Sequence, residues 1–296
     1  MTQRTRPMSH VSRPNTRALR GVRIGIIGTG TMGQALLRGL LAEGVSRRAL
    51  RAADANPRTR RAVERRFRLP VAADACAVAR RSDLVILAVK PQQFPEVVPP
   101  LARHLTRPHT RRGVGARRPL IVSIAAGITL RWLQSRLPGV PLVRVMPNLP
   151  ATVGCGFAAV AAGRAATRHH RRLVRALFGA VGTVVELPER HLDAVTAVSG
   201  SGPAYVLYLA QIWEEAARAL GLPRAVASDA VRRTLEGSVR LWLASGESAH
   251  ALIAKVASKG GTTEAALRVL ARRRISAQFA QALRAAARRS KQLSYK

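Results

Sequence analysis

The chain has 296 residues, is 47% hydrophobic, and carries 50 Lys and Arg against 15 Asp and Glu, a formal charge of +35. This composition supports one large or two medium domains with real cores, and no apolar stretch is long enough to read as a membrane span. Cys76 and Cys155 lack metal-ligand spacing, so neither a metal site nor a disulfide framework is expected, and a reducing, cytoplasmic compartment is.

Residues 1–20 are basic, free of acidic residues and without apolar periodicity, and read as a disordered tail. "VRIGIIGTGTMGQALLRGL" then gives a strand over 22–27, a turn with Gly28, Gly30 and Gly33, and a helix carrying Leu36, Leu37, Leu40 and Leu41. This is G-x-G-x-x-G in its strand–turn–helix setting, the dinucleotide-binding fingerprint. Gly28 permits the tight turn, Gly30 lets a pyrophosphate reach the backbone, and Gly33 lets the helix pack on the strand.

A second strand should end near Asp54, 21 residues beyond Gly33, where an acid would bond the adenosine ribose of NAD. Asn56, Arg58, Arg60 and Arg61 crowd the same turn and would suit the 2′-phosphate of NADP, so these residues leave the cofactor open. Further strands are expected over 84–89, in "PLIVSIAAGITL" and in "VPLVRVMPNLP", ending in Lys90-Pro91, in Ala125-Ala126-Gly127 and in Met146-Pro147-Asn148. Such endings suit the carboxyl edge of a parallel sheet, where the ligand crevice lies. Residues 103–119 read as a basic surface linker without chemistry.

From about Glu189 the β pattern stops. A helix is expected from Pro203, with Ser201 as its N-cap, ending near Gly221; another ends near Gly246, and Ser248 caps the next. The helix from Pro203 is apolar on more than one face (Val206, Leu207, Leu209, Ile212, Trp213), so it is buried in its domain or against a second subunit, which suggests a dimer. "VASKGGTTEAALRVL" ends one helix, turns through two glycines, and opens another whose free N–H groups would suit a small anion.

Taken together, "IGIIGTGTMGQALLRGL", "LVILAVKPQQF", "SIAAGI", "RVMPNLPATVGCG", "DAVTAVSGSGPAYV" and "SKGGTTEAAL" resemble, in order and spacing, the pyrroline-5-carboxylate reductases, from about Val22 to Leu283. The resemblance implies an α/β fold: an N-terminal Rossmann-like dinucleotide-binding domain over 21–187 and an all-helical dimerisation and substrate domain over 188–290, with 291–296 as a tail. It implies NADPH- or NADH-dependent reduction of the cyclic imine 1-pyrroline-5-carboxylate to L-proline, by a homodimer or a ring of dimers. It places Ile27, Gly28, Gly30, Thr31, Met32, Gly33, Asp54, Asn56, Arg58, Ala88, Val89, Lys90, Pro91, Ala125, Ala126, Gly127, Met146, Pro147 and Asn148 at the cofactor. It also places the substrate carboxylate on Ser258, Gly260, Gly261, Thr262 and Thr263, with amides of Gly261, Thr262 and Thr263 donating, Thr263 beside the reacting ring, and Ser199 and Ser201 shaping the pocket.

The chain departs from that pattern at Lys259, where many relatives have proline, at Lys255, where a neutral polar residue is common, and at Ala75, where many have asparagine. Two alternatives stand beside it. One is a dehydrogenase of similar two-domain build, which would need Lys255 as general base. The other is a basic, nucleic-acid-associated protein. Against the latter, 45 of the 50 basic residues are arginine, scattered rather than interleaved with aromatics, and this favours incidental polyanion binding. The seven histidines sit in basic or loop-like segments, and no metal cluster is expected.

Overall fold

A computed structural model describes residues 16–105 and 118–295. The chain forms two compact units: Arg13–Ser201 together with Ala286–Lys296, and Gly202–Ala285.

The first unit runs β1 (Ile24–Ile27), α1 (Thr31–Ala42), β2 (Leu50–Ala53), α2 (Pro57–Phe67), β3 (Val71–Ala72), α3 (Ala75–Arg80), β4 (Leu84–Leu87), α4 (Phe94–Leu105), β5 (Leu120–Ser123), α5 (Leu130–Arg136), β6 (Leu142–Met146), β7 (Gly156–Ala162), α6 (Arg168–Gly179), β8 (Gly182–Glu186) and α7 (Leu192–Val195). The strands make one sheet in the order β3-β2-β1-β4-β5-β6-β7-β8, parallel except where β7 meets β6. From β1 the chain first winds outward to β3, then returns to β4 and continues the other way. The β1/β4 junction is therefore a topological switch point, and ligands bind outside the carboxyl ends of strands at such a point.

Alternate strand residues feed two cores. Ile24, Ile26, Leu84, Ile86, Leu120, Val122, Val143 and Val145 pack with α1 and α6 on one face. Ile27, Val85, Leu87, Ile121 and Leu142 pack with α4 and α5 on the other. Burial on both faces explains why these strands read as continuous apolar runs. Each fully buried Leu, Ile or Phe contributes roughly 1.5–3 kcal/mol.

Both ends of this unit correct the expectation of tails. Residues 1–15 lie outside the described residues, but Thr16–Leu19 forms a 3-10 turn, and Leu19 is buried in the core shared with α6. Lys291 and Gln292 complete the last helix, and Tyr295 packs against the core around Trp132. Of the basic linker, 106–117 lie outside the described residues; residues 103–105 finish α4, and Arg118 donates to the Pro138 carbonyl at 2.9 Å.

The segment after β8 packs on the sheet. Leu192 is fully buried there, and Glu189 accepts at one carboxylate oxygen from Arg144 at 3.0 Å and from the Leu130 amide at 2.8 Å. Compactness therefore divides the chain after Ser201, although the helical pattern begins near 189. The histidine pair His169-His170 is helical rather than loop-like. Thr167 caps α6 by accepting from the His170 amide at 3.3 Å, and the His170 ring accepts from the Thr167 amide.

The second unit holds α8 (Gly202–Ala219), α9 (Arg224–Ser245), α10 (Ala249–Val256), α11 (Thr262–Arg272) and the first part of α12 (Ile275–Gln292). Gly221 and Gly246 carry positive φ just past their helices, and the Ser248 hydroxyl caps α10 by accepting from the Ala251 amide at 3.2 Å. Within 202–285, the buried apolar side chains are Ala217, Ala227 and Val231. Leu207 is 66%, Tyr208 64%, Trp213 46% and Trp242 50% exposed. Monomeric proteins rarely leave large apolar patches uncovered. The apolar helix from Pro203 is thus not buried within its own chain.

Candidate active site

At the switch point the glycines do separable work. Gly28 has φ +93°, and a Cβ there would meet the backbone of Ala88 and Val89 at 2.7–2.8 Å, so the β1 turn lies directly on the turn after β4. Ala88 donates its amide to the Ile27 carbonyl at 2.7 Å, fixing that approach. A Cβ on Gly33 would meet the Gly28 carbonyl oxygen at 2.2 Å, which holds α1 against the turn. Around Gly30 nothing lies within 4 Å of where a Cβ would stand. The start of α1 has no side-chain cap and no acidic residue in its first turn, while Thr31 is exposed and Met32 half-buried. Unsatisfied N–H groups facing open space are a seat for phosphate.

The ribose end resolves into engaged and available groups. Asp54 accepts from the Thr29 amide at 2.8 Å and the Thr29 hydroxyl at 3.0 Å with one oxygen, and from the Asn56 amide at 2.9 Å with the other. The Asn56 side chain caps α2 through the Arg58 and Thr59 amides. Arg60 folds back on the Asp54 and Ala55 carbonyls, at 3.0 and 2.8 Å. Arg58 is exposed, and among the described residues its guanidinium makes no hydrogen bond or ion pair. The residues present thus fit a dinucleotide: an open phosphate seat, an acid tied to the glycine turn and to Asn56, and a free guanidinium beside it.

Farther along the same edge, Lys90 is exposed, with its amide donating to Gln93 at 3.0 Å. Pro91 and Ala126 are half-buried and Pro147 is buried. Asn148 uses both ends of its amide. It donates to the Ser199 hydroxyl at 3.0 Å and accepts from the Phe157 amide at 2.8 Å. Beside it, a Cβ on Gly200 would meet the Met146 methyl at 2.6 Å. Two residues expected at the cofactor are therefore brought against two neighbours in the serine–glycine turn.

That turn is not a helix cap. Thr196–Gly200 forms a π-helical turn between α7 and α8, and Ser201, at φ −87° and ψ −20°, donates its amide to the Thr196 carbonyl at 2.8 Å. Ser201 is helical, so the expected N-cap role is overturned. Wide turns of this kind occur frequently at functional sites.

In the helical unit, Gly261 precedes α11 without a side-chain cap, and Gly260 has φ +74°. The Gly261 amide donates to the Ser258 carbonyl at 3.0 Å, so it is not free to bind a ligand as expected. The Gly260 amide is also taken, by Glu264 at 2.5 Å, and the other oxygen of Glu264 pairs with Arg268 at 3.2 Å. Sequence reading missed Glu264; its signal was the acid one helical turn after the glycine. Thr263 is half-buried, while Ser258, Lys259 and Thr262 are exposed. Lys255 pairs with Glu247 at 2.7 Å, which occupies the lysine the rival dehydrogenase would need as a base.

Among the described residues, no group of three or more His, Cys, Asp or Glu is placed to hold a metal ion, and no helix is long and apolar enough to cross a membrane. Burial pushes the Cys76 thiol pKa up, with the nearby Asp74 carboxylate adding to it.

A switch-point nucleotide seat followed by a helical unit that cannot cover its own apolar surface defines a two-domain, dinucleotide-dependent oxidoreductase that works as a homo-oligomer. Residues 23–110 match the family model described as NADP oxidoreductase, coenzyme F420-dependent, and residues 189–293 match that described as pyrroline-5-carboxylate reductase dimerisation. The pyrroline-5-carboxylate reductase of Synechocystis is 37% identical over 93% of this chain and 99% of its own, and that of Mycobacterium tuberculosis is 39% identical over 92% and 96%. The solved structure of the Coxiella burnetii reductase superposes with a TM-score of 0.85 at 30% identity, covering 93% of this chain and 99% of that one. The Plasmodium falciparum structure, with NADP bound, superposes with a TM-score of 0.80 at 25% identity over the same shares. The chain belongs to the pyrroline-5-carboxylate reductase family, NAD(P)-dependent oxidoreductases of proline biosynthesis.

Proposed function

We propose that this chain reduces 1-pyrroline-5-carboxylate to L-proline, with the substrate carboxylate held at the start of α11 and the dinucleotide at the β1/β4 edge. The observation that carries the residue-level reading is the pair of uncapped helix starts, at Gly30 and at Gly261, one in each unit. Helix starts favour anions through free amides and the helix dipole. At the second, Thr262 and Thr263 remain to donate, because the Gly260 and Gly261 amides are already bonded.

Bound NAD(P)H supplies the hydride. The protein's work is to orient the imine and exclude competing water. The imine would be held as the protonated iminium, whose ring carbon is electrophilic and whose nitrogen keeps its proton in the secondary amine formed. The Thr263 hydroxyl orients the imine nitrogen or a water that relays its proton. Ser199, fixed by Asn148, shapes the pocket, and Ser201 directly follows the π-helical turn that carries Ser199.

NADPH is the preferred cofactor in this reading. Asp54 is engaged by Thr29 of the glycine turn and by the Asn56 amide, and Arg58 is free for a 2′-phosphate. The assembly is a homodimer, or a ring of such dimers, built on the exposed apolar faces of α8 and α9, and it works in the cytoplasm without a specific nucleic-acid partner. The test of the catalytic assignment is Thr263→Val. A fall in kcat/KM of roughly 10²-fold or more agrees with general acid–base or orienting work. An unchanged kcat/KM contradicts it.

A further inference from the structure

We propose that the last residues of the chain form a clasp that positions the Ala125–Gly127 turn, and that Tyr295 is a positioning residue for dinucleotide binding. The inference rests on the reading that this turn lines the cofactor crevice. The turn follows β5, next to the switch-point strand β4.

Three independent contacts build the clasp. The Tyr295 amide donates to the Gly127 carbonyl at 2.8 Å, and the Thr129 hydroxyl donates to the Tyr295 carbonyl at 3.2 Å. That same hydroxyl caps α5 by accepting from the Trp132 amide at 3.1 Å, so the chain end is tied to the helix the turn leads into. The Tyr295 ring stands edge-on to Trp132 at 5.9 Å, and Trp132 in turn meets Phe94 at 6.1 Å. One residue earlier, the Ser294 hydroxyl donates to the Ser290 carbonyl at 3.3 Å, and the Ser290 hydroxyl donates to Asp193 at 2.7 Å, anchoring the end of α12.

Gly127 shows that the turn is shaped to receive this segment. Its φ is +78°, and a Cβ would meet the Leu293 carbonyl oxygen at 2.6 Å and its carbon at 3.1 Å. A side chain at 127 would therefore be strained and would also displace the chain end. The bond from Tyr295 to the Gly127 carbonyl restrains the turn, in which Ala126 is half-buried beside the buried Ala125 and Gly127. Ordering a loop before the ligand arrives lowers the cost of binding.

The experiment measures NADPH affinity by fluorescence titration in the full-length protein, in Tyr295→Ala, in Tyr295→Phe, and in a chain ending at Leu293, with thermal unfolding as the check on folding. In the chain ending at Leu293, which loses both main-chain hydrogen bonds and the ring contact, the NADPH Kd should rise about tenfold. Tyr295→Ala keeps those bonds and loses only the ring contact, so its Kd should rise about threefold. At saturating NADPH, kcat should change less than twofold. Tyr295→Phe should bind as the parent does. If both shortened side chain and shortened chain bind NADPH as tightly as the parent, the clasp has no such role. Ala126→Asp separates the two levels. If it leaves NADPH binding unchanged, the turn does not touch the cofactor and both readings fall. If it weakens binding while neither Tyr295→Ala nor the shortened chain does, only the clasp falls.

Discussion

Asn148 and Ser199 are 51 residues apart in sequence and 3.0 Å apart in space, the amide of one donating to the hydroxyl of the other. The same asparagine accepts from the Phe157 amide, so one side chain locks the end of β6 to β7 and to the π-helical turn. Asn148→Ala should cost about 1–3 kcal/mol of stability, because it strands a backbone donor. Ser199→Ala should cost less, since Phe157 keeps its partner. Both should raise the KM for the imine; denaturant unfolding alongside steady-state kinetics separates the two effects.

The second and third glycines of the fingerprint should fail differently. Gly33→Ala places a methyl group against the Gly28 carbonyl and should lower stability by about 1–3 kcal/mol, as overpacking does. Gly30→Ala meets nothing in the protein, so its unfolding midpoint should stay near that of the parent while NADPH affinity drops. Thermal unfolding with and without NADPH distinguishes them.

Arg58→Ala should raise the KM for NADPH by about tenfold or more, the worth of one or two charge-assisted bonds, and leave that for NADH within about twofold. Arg60→Ala removes two bonds to the turn's own carbonyls and should weaken both cofactors alike. Initial rates with each nucleotide give the comparison.

Leu207→Glu with Trp242→Glu places charges on side chains that are 66% and 50% exposed in the single chain. A change confined to free surface would be nearly silent. A buried charge in an oligomer interface costs several kcal/mol, so the variant should sediment as a smaller species than the parent.

Much of the fold was legible because β1, β4, β5 and β6 are buried on both faces and end in turn residues. The missed elements lacked that pattern. β3 has two residues, β7 is "GFAAVAA", whose alanines carry weak strand preference, and β8 mixes half-buried and exposed positions. In α6 the core stripe of Leu173, Val174, Leu177 and Phe178 was masked by arginines and histidines. At the site, the glycine spacing pointed to the uncapped start of α1. The pairings Asn148–Ser199 and Tyr295–Gly127 depend on tertiary approach and leave no local signal. Ser201 misled because a serine before Gly-Pro resembles a cap, whereas here it closes the π turn with helical backbone, its amide bonded to the Thr196 carbonyl.

The central claim is tested most directly by following the oxidation of NADPH and of NADH by the purified protein in the presence of 1-pyrroline-5-carboxylate. Turnover with both, with kcat/KM favouring NADPH, and L-proline formed in equal amount to the nucleotide oxidised, is the expected result. A folded protein that binds NADPH but oxidises neither nucleotide with this imine would contradict the account.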